Sequence, residues 1–434
     1  MRILEGSDER SIGALLDRAP QRDAEVERRV ARIVAAVRRD GDRALLGYAK
    51  EFDHLAVPVE VTREEMRDAR TGLGADVRAA IAAAARNIRR VARRQLPRPW
   101  KTSPTPGVTI EQRVTPLDSV GCYVPAGRHP LPSSLLMTAI PARVAGVREI
   151  VAVCPRPDVT VMAAALEAGV TRLLRLGGAH AIAALAYGTE TVAAVDKIVG
   201  PGNAYVAAAK ALVAADCAID FFAGPSEILI VSSTGRAPWI AADLIAQAEH
   251  DVDARAVLVT PARSLARAVA DEVQRQMPSD GPARTAIETN GAIVVTSSLD
   301  EAIALSERMA PEHVVCDSEA VASRLRRAGT VFVGHHSAQA LGDYMTGSNH
   351  VLPTSGAARA RGGLSAADFV RVTTMQRVTG PGLRRLEPHA TALAEAEGLR
   401  AHAASIRIRN REPRTANRKP PTANRQPPTA NRKP

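Results

Sequence analysis

The sequence predicts an α/β fold in which parallel strands are covered by helices. Two observations support this: short apolar runs alternate with long Ala-rich stretches, and the apolar runs read as continuous Val, Ile and Leu. Such alternation favours parallel sheets, and continuous apolar strands are typical of sheets buried on both faces. The predicted strands are residues 149–154, 173–176, 227–231, 256–260, 292–296, 313–316 and 330–333.

Helical stretches separate these strands. The N-terminal region up to about residue 94 is predicted to be mostly helical, and residues 101–107 form a Pro-rich connection. Residues 365–409 are predicted to be largely helical and to form an arm that packs elsewhere, on a partner subunit. The other predicted helices are 159–168, 179–187, 204–214, 238–250 and 264–276.

The composition narrows the class of protein. The chain has 434 residues, of which 46% are hydrophobic, enough for two or three cores of ordinary size. No apolar run approaches the roughly 18 residues of a membrane span. The N-terminus is charged and lacks a signal-peptide apolar region, so we expect a cytoplasmic enzyme. The cysteines lie far apart without a C-x-x-C pair, so any metal site is expected to use His, carboxylate or amide ligands.

A basic, repetitive tail ends the chain. Residues 409–434 hold eight Arg or Lys and one Glu, and so carry seven of the eleven net positive charges. The motif TANR recurs with a period of seven residues, but Pro surrounds each copy, and we predict a disordered segment outside the fold. A polyanion-binding protein that acts through this tail is an alternative from another functional class. Specific nucleic-acid binding by the folded part is not expected.

Two pairs of polar residues have the potential to bind a metal. Gln247 and His250 are three residues apart near the end of a predicted helix, and Gln247 lies on its apolar face. Asp343 and His350 lie in a Gly- and Asn-rich loop after a buried strand, where binding residues tend to occur in α/β proteins. From spacing alone, buried polar pairs or a capped surface loop remain alternatives.

Glu312 and His313 are candidates for acid–base chemistry. They lie at the mouth of a predicted strand, after Pro311 ends a helix. An imidazole has a pKa near the operating pH, and a neighbouring carboxylate is a second base. An exposed Glu beside a structural His is the alternative that spacing leaves open.

Glycine turns and a polar pair in the arm are weaker signals. Gly177-Gly178 and Gly200-Pro201-Gly202-Asn203 each precede a helix and could place N–H groups near a phosphate. Neither turn matches G-x-G-x-x-G, so the motifs alone do not predict NAD. Glu397 and His402 lie five residues apart, a spacing that indicates little by itself.

Taken together, ordered blocks over about residues 20–408 closely resemble the histidinol dehydrogenase family. The blocks, in chain order, are GCYVPAGRHPLPSSLLMTAIPARVAGV, LGGAHAIAALAYGT, VDKIVGPGNAYVAAAK, GPSEILIV, DLIAQAEHD, APEHVV, GDYMTGSNHVLPT and AEGLRAH.

The resemblance implies a role for each matching residue. It implies one zinc ion per subunit, with Gln247, His250, Asp343 and His402 as ligands, and with His402 supplied by the other subunit of an intertwined homodimer. It implies Glu312 and His313 as the catalytic pair. The substrate contacts that it implies are Ser226, Gln247, His250, His313, Asp343, Glu397 and His402. The NAD contacts that it implies are Tyr123, His180 and Asn203.

The resemblance also implies the domain plan. Two incomplete Rossmann-like domains are expected, with residues 119–227 inserted into a first domain made of 21–118 and 228–364. A helical segment (1–20), a dimerisation arm (365–408) and a disordered tail (409–434) complete the plan. The first domain would carry the zinc and catalytic residues, and the inserted one the NAD contacts.

The implied reaction is a zinc-dependent oxidation of L-histidinol to L-histidine that consumes two NAD, the last steps of histidine biosynthesis. The chain departs from the family at His180, where Gln is usual, and at Ala126 and Arg128-His129 in the YVPAGRHPLPSS block. His180 bears on cofactor geometry, and the block bears on substrate preference. A sister enzyme that oxidises another primary alcohol, such as a sulfonated diol, therefore remains an alternative.

Overall fold

The protein is described by a computed structural model that covers residues 1–16, 23–125, 130–221 and 224–411. Its strands are β1 (Arg2–Glu5), β2 (Glu60–Val61), β3 (Trp100–Thr102), β4 (Val108–Pro116), β5 (Ser119–Tyr123), β6 (Glu149–Val153), β7 (Arg172–Leu174), β8 (Lys197–Val199), β9 (Ala218–Ile219), β10 (Glu227–Val231), β11 (Arg255–Thr260), β12 (Ala292–Val295), β13 (His313–Cys316), β14 (Thr330–Val333) and β15 (Val370–Val378).

The helices lie mostly between these strands. They are α1 (Glu9–Leu16), α2 (Ala24–Asp40), α3 (Asp42–Phe52), α4 (Arg63–Gly72), α5 (Ala75–Gln95), α6 (Pro132–Ala145), α7 (Val159–Ala168), α8 (Gly178–Tyr187), α9 (Ala204–Val213), α10 (Ala237–Ala248), α11 (Arg263–Gln276), α12 (Ala283–Asn290), α13 (Leu299–Met309), α14 (Glu319–Ala322), α15 (Ala340–Tyr344), α16 (Gly380–Ala396) and α17 (Arg400–Arg411). None of the helices in the described ranges is long and apolar enough to cross a membrane.

The first sheet has six parallel strands in the order β1-β12-β11-β10-β13-β14. Of its middle strands, β10 and β12 are buried along their whole length and β11 and β13 nearly so, because helices cover both faces. The predicted α/β class with parallel sheets is confirmed. Residues 1–20 were expected to be helical, but β1 precedes α1 and pairs with β12. The run Arg2–Glu5 is too short for the sequence pattern to separate a strand from a helix.

The second sheet has the order β2-β7-β6-β5-β8-β9, and it is parallel except for β2. Helices α2 to α5 pack on the helices of this sheet: α2 contacts α8 and α9, α4 contacts α7, and α5 contacts α6. Residues 21–118 were expected to belong to the same domain as the first sheet, but α2, α4 and α5, which lie in this range, contact helices of the second sheet. The exact domain ranges stay a prediction.

A third, small sheet has the order β15-β4-β3. With α16 and α17 it forms most of a second compact unit, residues 98–114 and 372–434. The structure describes 98–114 and 372–411 of this unit. The predicted Pro-rich connection at 101–107 begins inside β3, and the predicted helical arm contains β15. The pattern VRVTTMQRV is rich in β-branched residues, a strand signal that the prediction overlooked.

Many of the residues predicted to be functional lie at two edges of the large sheets. The amino edge of a sheet is the edge at which its parallel strands begin, and the carboxyl edge is where they end. Only the seven residues 220–226 separate β9, the last strand of the second sheet, from β10 in the first sheet. The chain therefore passes directly from the carboxyl edge of the second sheet to the amino edge of the first.

Candidate active site

Four polar residues meet at the amino edge of the first sheet. Ser226 and Glu227 stand at the start of β10, and Glu312 and His313 at the start of the neighbouring strand β13. The parallel register pairs Ile228 with His313, which brings the two strand openings side by side. The predicted pair Glu312 and His313 thus lies beside the predicted substrate contact Ser226.

The carboxylate of Glu312 is held from two directions. Its Oε2 atom accepts a hydrogen bond from Ser226 Oγ at 2.6 Å and another from the backbone N–H of Glu227 at 2.8 Å. The side chain is only 6% exposed, and this burial raises its pKa to about 7. A carboxylate with a pKa near neutrality is suited to act as a general base.

The imidazole of His313 is held in one tautomer. Its Nδ1 atom lies 3.1 Å from the carbonyl oxygen of Glu227, so Nδ1–H donates to that oxygen. Burial lowers the pKa of His313, which favours the neutral ring. Nε2 is therefore left with a lone pair, and it faces Gln339 Nε2 at 3.4 Å. This atom can accept a proton.

Three possible metal ligands lie next to this pair. Gln247 lies in the last turn of α10 and is fully buried, and its Nε2 donates to Ser226 Oγ at 2.5 Å. Its Oε1 atom is buried and has no hydrogen-bond partner among the described residues. His250 Nε2 is 3.9 Å from Asp343 Oδ2, which also accepts a hydrogen bond from Gln339 Nε2 at 2.9 Å.

This donor set fits a zinc ion. A buried amide oxygen without a partner is costly unless something binds it, and a cation is one such partner. Imidazole nitrogen and carboxylate oxygen are ordinary zinc ligands. Over the described ranges, no three His, Cys, Asp or Glu side chains form a metal-binding group, and Gln247 does not belong to those residue types. The set thus has two such residues and an amide.

His350 supports α15, the short helix that carries Asp343, although Asp343 was expected to lie in a loop. Its Nδ1–H donates to the backbone oxygen of Asp343 at 3.1 Å, and its Nε2 lies 3.5 Å from Ser134 Oγ. The ring is mostly buried, and burial lowers its pKa. His350 was predicted only as a partner of Asp343 in a loop, and the structure gives it this supporting position.

The remaining predicted residues of the zinc and substrate site belong to the second compact unit. Glu397 caps the C-terminus of α16, and His402 lies in the first turn of α17. Both side chains are exposed. Their predicted roles stay predictions.

The predicted cofactor contacts lie at the carboxyl edge of the second sheet. Tyr123 ends β5, and its hydroxyl oxygen accepts a hydrogen bond from the Gly178 N–H at 3.1 Å. Burial raises the pKa of Tyr123 to about 12, so the hydroxyl keeps its proton and can still donate it. Asn203 is exposed and caps α9 through Val206 N–H. His180 is buried at the start of α8.

Sequence reasoning missed Glu227 and Gln339. Glu227 contacts Glu312 through its backbone N–H and His313 through its carbonyl, and its side chain is 3% exposed with Oε1 unpartnered within the described residues. Burial, followed by repulsion from Glu312, raises its pKa to about 7. An acidic residue that opens an otherwise apolar strand was a usable signal. Nothing in the sequence distinguishes Gln339.

The chain resembles known proteins over nearly its whole length. The family profile described as Histidinol dehydrogenase matches residues 16–410. The chain belongs to the histidinol dehydrogenase family. It is 44% identical to a histidinol dehydrogenase of Geobacter sulfurreducens, over 94% of this chain and all of that protein. A histidinol dehydrogenase of Methanothermobacter thermautotrophicus is 46% identical, over 93% of this chain and 98% of that protein.

The fold agrees as well. The crystal structure of histidinol dehydrogenase from Elizabethkingia anophelis superposes with a TM-score of 0.90 at 32% identity, over 94% of this chain and 98% of that chain. Membership of this family makes the protein an NAD-dependent dehydrogenase, an oxidoreductase. The departures from the family pattern at Ala126 and Arg128-His129 lie outside the described residues, as does the TANR tail.

Proposed function

We propose that the protein oxidises L-histidinol through histidinaldehyde to L-histidine in the cytoplasm, as a zinc-dependent intertwined homodimer of two Rossmann-like domains per chain. One observation carries the proposal. Two held bases, Glu312 and His313, share the amino edge of the first sheet with the donor set of Gln247, His250 and Asp343. An alcohol held on that set would lie next to both bases.

Two groups from outside the chain complete the chemistry. Zinc, when bound by Gln247, His250, Asp343 and His402, supplies a centre that orients the imidazole and amino nitrogens of the substrate. NAD, when bound at the carboxyl edge of the second sheet by Tyr123 and Asn203, with His180 at the same edge, supplies the hydride acceptor for each oxidation. His402 is proposed to come from the second subunit.

The chain's own residues then move the protons. In the first oxidation, His313 Nε2 accepts the hydroxyl proton while the carbon gives up a hydride. In the second, the Glu312 carboxylate accepts a proton from the water that adds to the aldehyde carbon, and the hydrate loses a second hydride. Ser226 Oγ keeps the Glu312 oxygen in place, since it donates to Oε2 and accepts from Gln247. Glu397 is proposed to bind the substrate ammonium group.

The stoichiometry tests the whole proposal. Purified, zinc-loaded protein is supplied with L-histidinol, and the NADH formed per histidinol consumed is measured against a chelated control. We expect a ratio near two that disappears on chelation, because two hydrides leave each substrate molecule. Absence of NADH with histidinol, in zinc-loaded protein, would exclude this substrate and direct the search to other primary alcohols, including sulfonated diols.

A further inference from the structure

A buried acid–imidazole pair links the N-terminal helices to the second sheet. Asp53 directly follows α3 and is 7% exposed, and His180 in the first turn of α8 is 1% exposed. His180 Nε2 and Asp53 Oδ2 are 2.8 Å apart. Because a buried carboxylate needs hydrogen-bond donors, the ring presents its Nε2–H to Asp53.

The same carboxylate oxygen holds the glycine turn that begins α8. Asp53 Oδ2 also accepts a hydrogen bond from the backbone N–H of Gly177 at 2.9 Å. The next N–H in the chain, that of Gly178, donates to Tyr123. Gly178 has φ +57, in the left-handed region that favours glycine. The turn is thus fixed by Asp53 on one side and by Tyr123 on the other.

Aromatic packing keeps the imidazole in place. The rings of Tyr48 and Phe52, both on α3, have centroids 6.1 and 6.2 Å from that of His180. Tyr48 and Phe52 also stack on each other, with centroids 5.7 Å apart. A ring that is buried against α3, and whose Nε2 is bonded to Asp53, faces the protein interior.

We propose that Asp53 and His180 are a pair of positioning residues for the dinucleotide site, and that His180 acts on the cofactor through Asp53 and the Gly177-Gly178 turn. The pair sets the direction of the first turn of α8, and it keeps the Tyr123 hydroxyl at that turn. Backbone N–H groups at a helix start and a neighbouring hydroxyl donor suit a phosphate-bearing ligand. The inference rests on the proposed function, in which that ligand is NAD.

A double-mutant cycle separates this role from direct contact. The variants are Asp53→Asn, His180→Leu and the double variant, with His180→Gln as the conservative replacement that keeps an N–H donor. The dissociation constant of NAD is measured by calorimetry on the full-length protein without histidinol. The Michaelis constant for histidinol, the zinc content and the thermal unfolding midpoint are measured for each variant.

We expect each single variant to weaken NAD binding by about tenfold, because a buried charge-assisted hydrogen bond is lost. The NAD affinity of the double variant is expected to equal that of the single variant that binds NAD less tightly, since both changes break the same hydrogen bond. His180→Gln is expected to stay within about threefold of the unchanged protein. The histidinol Michaelis constant and the zinc content are expected to stay constant in all of them.

Asp196→Asn is the matched control. Asp196, like Asp53, accepts two hydrogen bonds that tie parts of the second sheet together, but it is exposed and lies at the amino edge of that sheet. The donors are the backbone N–H groups of Asp118 and Ser119, at 2.9 and 3.0 Å. The NAD affinity of Asp196→Asn should equal that of the unchanged protein. If it weakens NAD binding as much as Asp53→Asn does, the effect is general loosening of the sheet and the inference is wrong.

Two further results would overturn the inference. One is a normal NAD affinity in Asp53→Asn beside a large loss in His180→Leu, which would make His180 a direct contact. The other is multiplication of the two losses in the double variant. If His180→Leu does not fold, Asp53→Asn and His180→Gln decide the question. Failure of the unchanged protein to bind NAD would instead overturn the proposed function, and the inference with it.

Discussion

The two large sheets place their proposed functional residues at opposite edges. In the second sheet, Tyr123 and the glycine turns follow the strands, at the carboxyl edge where ligands usually bind in α/β folds. In the first sheet, Glu227 and His313 open the strands, and Ser226 and Glu312 directly precede them, at the amino edge. A rule that works for one sheet therefore gives the wrong edge for the other.

The difference has a chemical side. At the amino edge, the N–H of Glu227, the first residue of β10, donates to the carboxylate of Glu312, which directly precedes the neighbouring strand β13. The carbonyl of the same residue accepts from His313. The backbone of one residue, Glu227, thus orients both members of the proposed acid–base pair. The carboxyl edge instead offers N–H groups at helix starts for a dinucleotide. If the two edges act separately, a substitution at one edge should leave the proposed property of the other edge, NAD affinity or zinc affinity, unchanged.

The largest effect is expected for Glu312→Gln at the amino edge. Loss of the proposed base should slow formation of histidine by about a thousandfold, since general base catalysis contributes roughly 10² to 10⁴. The measurement is the rate of histidine formation from histidinol, by chromatography. NAD affinity should be unchanged. A loss of NAD affinity of similar size would show that the two edges do not act separately.

Gln247→Ala is expected to have the next largest effect. This change removes Gln247 Oε1, the buried amide oxygen without a hydrogen-bond partner in the described residues, and with it a proposed zinc ligand. We expect zinc affinity to fall by about a hundredfold or more. Competition with a chelating dye measures it. Gln276→Ala is a suitable control because this amide bonds to Glu272 and Pro238 on the surface. Unchanged zinc affinity in Gln247→Ala would remove Gln247 from the ligand set.

The pH dependence should reveal the burial of Glu312. Its raised pKa of about 7 means that the ionised base is lost as the pH falls, so the rate of aldehyde oxidation should drop about tenfold for each unit below 7. Rates with added histidinaldehyde between pH 5 and 9 test this. An acid limb near pH 4.5 would show that burial does not tune this carboxyl group.

The raised pKa of Glu312 also makes the stability of the fold depend on pH, but here the neutral carboxyl group is the favourable form. A buried carboxyl group whose folded pKa is raised stabilises the fold while it is neutral, and this contribution is lost as the pH rises through about 7. Glu227 and Glu312 should both contribute, so the free energy of unfolding should fall between pH 4.5, the ordinary pKa, and about pH 7. Glu312→Gln should flatten that fall.

Gly200→Ala tests the carboxyl edge and is expected to have the smallest effect on activity. Gly200 has φ +117, and an added Cβ would collide with the carbonyl of Tyr123. We expect about 2 kcal/mol less stability and roughly fivefold weaker NAD binding, with zinc affinity unchanged. Gly281→Ala is the matched control, with φ +86 and nothing within 4 Å of the added atom. Equal NAD affinity in both variants would show that the Gly200 turn is not part of the cofactor edge.

The sequence predicted β6, β7 and β10 to β14, because an uninterrupted apolar run such as β10 has one obvious interpretation. It missed β1 and β15, since a short or largely exposed strand lacks that run, and it also missed the buried strands β5, which contains Ser and Gly, and β8, which has only three residues. The ordered family blocks pointed to Glu312 and His313, whereas spacing alone left a structural alternative open. Asp53 could not have been found, because its partner His180 is 127 residues away and only folding brings them together.

The link of seven residues between β9 and β10 has an architectural consequence. A chain of this length spans about 25 Å at most, even when fully extended. The exit of one sheet and the entrance of the next are therefore tethered as neighbours, whatever else varies in the fold. A chimaera that borrowed a different dinucleotide-binding sheet would have to end that sheet on the same side and return the chain over the same short distance. Otherwise the proposed bases Glu312 and His313 would face away from the cofactor that the borrowed sheet binds.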